Sequence, residues 1–351
     1  MRNHGRPVLT IVAATALLLD PVVAQGQQPV EFLTAIPETP VSTFLSGSPA
    51  QVERPSSIRD LGVAILSGVG ADGGLQQGFA IDASLWTLIP GLSISLERYR
   101  DNPFLYALAN TQLSLGSART SGDSTDTSVA LGLRTTLIDR GDPMRDQDFT
   151  RGLGASIFAD CTPAAPGAGQ SAACVDSVTA AAFSSYTKDH WNDARLSLAF
   201  ATGRRLVHSR FDDSEYAGVD AWVVGGLPLT SRGQLAGQFR FRDRPAQDTV
   251  PEHTEWNYGA RVFFGSGTFN AFAEVIGASR SGGAAVDATV ALDESSSAWS
   301  AGLEFRIIDN TWITTGFGTR FDALSDDNTA VVFADIRWAV TSSARISRLG
   351  N

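Results

Sequence analysis

In residues 296–338, apolar and polar side chains alternate through three segments separated by turn residues. Trp299, Ala301, Leu303, Phe305 and Ile307 share one face of the first, and Ser300, Gly302, Glu304 and Arg306 share the other. Residues 312–321 and 331–338 repeat the pattern after Asp-containing breaks. A period of two predicts extended strands with one apolar and one polar face. Strands of about ten residues with charges on one side fit a lipid-embedded barrel around a wet interior.

The same alternation recurs upstream. Phe79, Ile81, Ala83 and Leu85 oppose Ala80, Asp82, Ser84 and Trp86, and Leu105 to Leu115 reads as the next strand. Further strands run through Val129, Leu196, Val219, Leu235, Trp256, Phe269 and Val286. With the three C-terminal segments the expected fold is all-β: a transmembrane antiparallel up-and-down β-barrel of about 12 strands occupying residues 76–340. Residues 139–192 interrupt the pattern as a long loop with a helix expected near Ser177 to Tyr186, and insertions of that length often carry function. Residues 341–351 form a tail.

Residues 25–75 are Pro-rich and read as a linker, with a short helix or plug around residues 58–66. Ser56 or Ser57 would cap that helix, Gly68 would end it, and Ile58, Leu61 and Ile65 would share a face. Leu61, Val63 and Ile65 also alternate, so a first strand is the competing reading.

The chain opens with Arg2 and Arg6, an apolar run ending at Leu19, and the small-residue stretch before Gln25. That order predicts a cleaved signal peptide over residues 1–24. A membrane anchor is the alternative, but Asp20 and Pro21 stop the run short of the roughly 20 apolar residues a spanning helix needs. Net charge is −10 for the full chain; the leading segment is +1, which leaves −11 and argues against a nucleic-acid partner.

Together, the signal peptide, the alternating strands and the aromatic-ended last strand resemble Gram-negative outer-membrane β-barrel proteins over residues 78–338. The block Arg54-Pro55-Ser56-Ser57 followed by Gly78-Phe79-Ala80-Ile81-Asp82-Ala83 is similar to a group of such barrels of uncharacterised function. The resemblance implies an outer-membrane location, surrounding lipid, and recognition of a terminal aromatic residue by the barrel-assembly machinery. Trp338 would be that residue, although residues 341–351 continue past it.

The expected polar face collects Arg134, Arg195, Asp220, Arg240, Arg242, Glu255, Arg261, Glu274, Glu304, Arg306, Arg320, Asp335 and Arg337, together with Asp82. These charges either pair into a network that holds the barrel's shape or line a pore that sorts small solutes by size and charge. Trp256, Trp299 and Trp338 are expected at the membrane interface, and Trp86, Trp222 and Trp312 are phased inward. Cys161 and Cys174 are the only cysteines of an exported chain, which predicts a disulfide.

An outer-membrane hydrolase would need a base beside a nucleophile. Apart from His4, the histidines are His190, His208 and His253; His208-Ser209 is adjacent in sequence, where strand neighbours face opposite ways. No Gly-rich phosphate loop, zinc spacing or dinucleotide fingerprint is visible. The expectation is therefore a channel or uptake pore without enzymatic activity or cofactor, with a non-conducting surface barrel and a soluble β-sandwich as rivals.

Overall fold

The computed structural model describes residues 36–37, 39–45, 51–53, 59–61, 63, 78–89, 94–119, 126–161, 171–210, 212–246, 251–282, 294–308, 311–319 and 330–338. Among them, no helix is long and apolar enough to cross a membrane. The alternating segments form one sheet in sequence order. A three-residue β1 (Gln51–Glu53) pairs parallel with β2 (Phe79–Ser84). Every later strand pairs antiparallel with its sequence neighbour. These are β3 (Gln112–Arg119), β4 (Thr127–Asp139), β5 (Arg195–Leu206), β6 (Ser214–Thr230), β7 (Gly233–Arg244), β8 (His253–Gly265), β9 (Phe269–Gly282), β10 (Glu294–Ile308), β11 (Thr311–Thr319) and β12 (Ala330–Trp338). Eleven strands thus form an antiparallel meander, and no pairing joins β12 to β1 or β2 among the described residues. The expected strand through Val286 lies outside them.

The two faces differ as the alternation requires. Leu198, Val223, Phe239 and Tyr258 are neighbours by register across β5–β8, and Val275 meets Trp299 across β9–β10. Val223, Phe239, Tyr258, Val275 and Trp299 all stay exposed on that apolar face. Contacts on the polar face reach across strands. Arg261 on β8 reaches over β9 to Glu304 on β10, and Phe333 on β12 packs against the cluster of Ala236, Phe263, Phe272 and Ile276. The Phe272 and Phe333 rings lie over Gly302 and Gly316, which face each other on β10 and β11, so the two side chains meet across those strands. At Gly218 (φ +120°), beside a β5–β6 register shift, a Cβ would collide with the Asp243 carbonyl, so the bulge requires glycine.

Connections alternate between the two ends of the sheet. At one end lie the tight links 231–232, 266–268 and 309–310, together with both helical insertions. At the other lie 120–126, 207–213, 245–252, 283–293 and 320–329. Helices α2 (Leu96–Asp101) and α3 (Pro103–Ala109) precede β3, and α4 (Gln147–Cys161) and α5 (Ala172–Asp189) separate β4 from β5.

Two sequence expectations change here. The alternation from Leu105 is helical up to Ala109, because Asn102 Oδ1 accepts from Phe104 N (3.0 Å) and Leu105 N (3.1 Å) while Pro103 occupies the first turn. The insertion 139–192 is a helical hairpin, tied by the Cys161–Cys174 disulfide. Asp146 Oδ1 caps α4 by accepting from Asp148 N (2.8 Å) and Phe149 N (3.0 Å).

The insertions pack on each other as a cap. Tyr99 Oη donates to Asp142 (2.6 Å), and the Arg145 guanidinium lies 4.7 Å from the Tyr106 ring centre. Burial and nearby Asp142 push the Tyr99 hydroxyl far above its usual pKa. Burial and nearby Asp139 do the same to Tyr106. Trp191, just past α5, packs on the Ala236–Phe263 cluster of the sheet.

Candidate functional site

The polar face carries an unexpected occupant. A five-residue helix, α1 (Pro40–Phe44), lies across β3, β4 and β5. Its seat is made of residues with little or no side chain. A Cβ at Gly116 would stand 2.7 Å from Val41 Cγ1, one at Gly132 would stand 3.0 Å from Val41 Cγ2, and one at Gly203 would strike the Phe44 ring. Ala130, Ala199, Ala201, Ala217 and Trp222 complete the hydrophobic contact. Val41 is fully buried and Phe44 nearly so. Removing two such side chains from water contributes about 1.5–3 kcal/mol each, as an upper estimate. Pro40 in the first turn supplies the preset φ.

This helix falls within the Pro-rich stretch read as linker, ahead of the expected plug at 58–66. In that region residues 59–61 and 63 are helical, but Arg59, Asp60 and Val63 are exposed. The signal for α1 was only Thr39-Pro40 before an apolar pair, too short for periodicity to register.

Three groups of charges share the polar face. On β2–β4, Ser114 Oγ donates to Asp82 Oδ1 (2.6 Å), and Arg134 lies 3.6 Å from Asp82 Oδ2 while donating from Nε to Gln112 (3.0 Å). On β8–β10, Arg261 donates to Glu274 (2.6 Å) and Glu304 (2.9 Å), and Ser300 Oγ donates to Glu274 (2.6 Å). Phe272 backs this group, its ring centre 4.5 Å from the Arg261 guanidinium. Such buried charges persist because each carboxylate receives charge-assisted hydrogen bonds.

The third group, on β6–β9, holds more cations. Asp220, fully buried, accepts a hydrogen bond from Arg240 (2.6 Å) and forms an ion pair with Arg244 (2.7 Å), with Arg242 Nε 3.5 Å away. Glu255 lies 3.7 Å from Arg242 and 3.4 Å from Arg280, and accepts from Asn257 Nδ2 (2.7 Å). Arg244 also covers the Phe44 ring at 4.6 Å, which joins this group to α1.

The remaining expected residues disperse. Arg195 stands opposite Asp139 in the β4–β5 register. Arg306 donates to Gly267 O (3.3 Å), 5.8 Å from the Trp312 ring centre. Arg320 lies outside the described residues. Asp335, Arg337 and Trp338 are described by backbone only, in register with Thr314, Trp312 and Thr311. Trp222 and Trp312 follow the inward phase, while Trp86 packs on the cap's tyrosine cluster instead. Trp256 and Trp299 stand half-exposed on the apolar face, Trp256 near its strand start and Trp299 well inside β10.

Sequence reading missed Arg244, Arg280 and the apolar inward pair Phe263 and Phe272. Arg244 continues the alternation one step past Arg242, and Arg280 shares the phase of Glu274 three steps further on; that was their only signal.

His208-Ser209 is not on a strand at all. It forms a tight turn with φ of 52° and 59°, where His208 N donates to Asp126 (2.9 Å). Among the described residues no group of three or more His, Cys, Asp or Glu side chains is placed to hold a metal. Compared with known proteins, the chain matches no family model, no curated protein and no solved structure.

Proposed function

We propose that the chain is an outer-membrane β-barrel whose sheet closes around the polar face, forming a small-solute pore held shut by α1. The observation that carries this reading is the seat of α1. A helix from the N-terminal stretch fits a glycine- and alanine-lined hollow on a charged, concave surface, while the opposite face stays apolar and exposed. Apolar strand faces turned to lipid leave water or solute as the natural neighbour of the charges.

Outer-membrane barrels keep short turns on the periplasmic side and long loops outside. The tight links 231–232, 266–268 and 309–310 favour a periplasmic position for that end, whereas the two helical insertions beside them are the longest connections of the sheet. Trp338 would be the aromatic residue met by the assembly machinery, and surrounding lipid the partner of the apolar face.

Single-channel recording on the purified barrel tests the pore, with and without residues 25–45. Conductance that rises on deletion supports a plugged pore. The Arg261–Glu274–Glu304 group favours a second reading, in which ion pairs fill the interior and the barrel serves the surface without conducting. A folded barrel silent in both forms leaves that reading. Recovery of the mature protein without detergent, with no heat-modifiable gel migration, removes the membrane assignment altogether.

A further inference from the structure

We infer that the β6–β9 group is a binding site for a divalent oxyanion of the sulfate or phosphate type. Four guanidinium groups, Arg240, Arg242, Arg244 and Arg280, surround two carboxylates, Asp220 and Glu255. Among the described residues this leaves two positive charges uncompensated in a mostly buried setting. That surplus differs from the β8–β10 group, where Arg261 faces two carboxylates.

The hydrogen bonding points the same way. Arg242 carries five N–H donors. It lies within ion-pair range of Asp220 and Glu255, yet it makes no hydrogen bond among the described residues. Arg280 makes a single long one, 3.4 Å to Glu255. These two side chains are also the most open of the six, each 27% exposed, whereas Asp220 is wholly enclosed. The Nε atoms of Arg240, Arg242 and Arg280 are themselves buried without a hydrogen-bond partner among the described residues. Guanidinium groups fork onto tetrahedral oxyanions through paired N–H donors, so an anion between Arg242 and Arg280 would take up free donors and the excess charge together.

The site lies at the end of the sheet that bears connections 245–252 and 283–293, on β7 and β9, and it does not depend on conduction. Sealed or open, the folded protein would bind the anion, so this inference and the pore fail separately.

Calorimetric titration of sulfate into the full-length mature protein in detergent tests it, at ionic strength held constant with chloride. The expected result is saturable binding near one sulfate per chain. Arg242→Gln and Arg280→Gln should each weaken it by about tenfold or more, the value of one charge-assisted hydrogen bond. Arg151→Gln, at an exposed surface pair on α4, should leave it unchanged. If Arg242→Gln does not fold, Arg280→Gln decides, since Arg280 gives up only one weak bond. Heat no different from that of chloride, or an affinity indifferent to these arginines, overturns the inference.

Discussion

Val41 rests on Gly132 so closely that a Cβ there would come within 3.0 Å of Val41 Cγ2, with Pro40 Cβ at 3.2 Å. All three of the nearest atoms to that position belong to α1, so an added side chain meets the helix first. Gly132→Leu should therefore expel α1 and leave the sheet paired. The expected readout is faster proteolysis within residues 36–45 with unchanged heat-modifiable migration. Unaltered protection of α1 in this variant would show that the helix is not seated there.

Arg261 holds two carboxylates at once. Arg261→Met should cost about 3–5 kcal/mol, because Glu274 and Glu304 remain buried without their cation. Changing all three to apolar residues of similar size should recover most of the loss. Chemical denaturation midpoints of the single and triple variants test this, and equal losses in both would contradict it.

Breaking the Cys161–Cys174 bridge should act locally. Its 13-residue separation corresponds to roughly 3 kcal/mol of chain entropy at most. Cys161→Ser with Cys174→Ser should raise amide exchange in α4 and α5, while β4 and β5 keep their protection. Peptide mapping without reduction should return one linked pair.

The cap should respond to pH at both extremes. Backbone hydrogen bonds from Phe149 and Asp148 hold the Asp146 carboxyl below its usual range. A depressed carboxyl stabilises the fold above its unfolded pKa, and that contribution fades as pH falls through the folded value. Burial and nearby Asp146 push the Tyr186 hydroxyl up to about 12. Its neutral form is favoured, so that contribution is complete below the unfolded value near 10 and disappears towards 12. Helix content in the hairpin should decline below about pH 4 and above about pH 10, and Asp146→Ala should abolish the acid limb.

What the sequence made legible follows from period. Trp299, Leu303 and Phe305 stand out on the apolar face, with Glu304 and Arg306 opposite, because alternation has one reading when the two faces of a strand differ in polarity. Leu105 to Ala109 alternate equally well, and only the Asn102-Pro103 cap distinguished helix from strand. The ion pairs of Asp82, Asp220 and Arg261 were legible as a face but not as partners, since partners come from register and curvature. Five residues of α1 carry no period, and their place was set by glycines far along the chain.

The seating of α1 also fixes an order of events. In β2–β12 each strand needs only the strand before it, so the sheet can be laid down step by step through contacts of short sequence range. Helix α1 needs β3, β4, β5, Trp222 on β6 and Arg244 on β7 to be in place together. A stretch that precedes the whole meander in the chain thus completes its contacts only after β7, and until then the hollow it fills stands open.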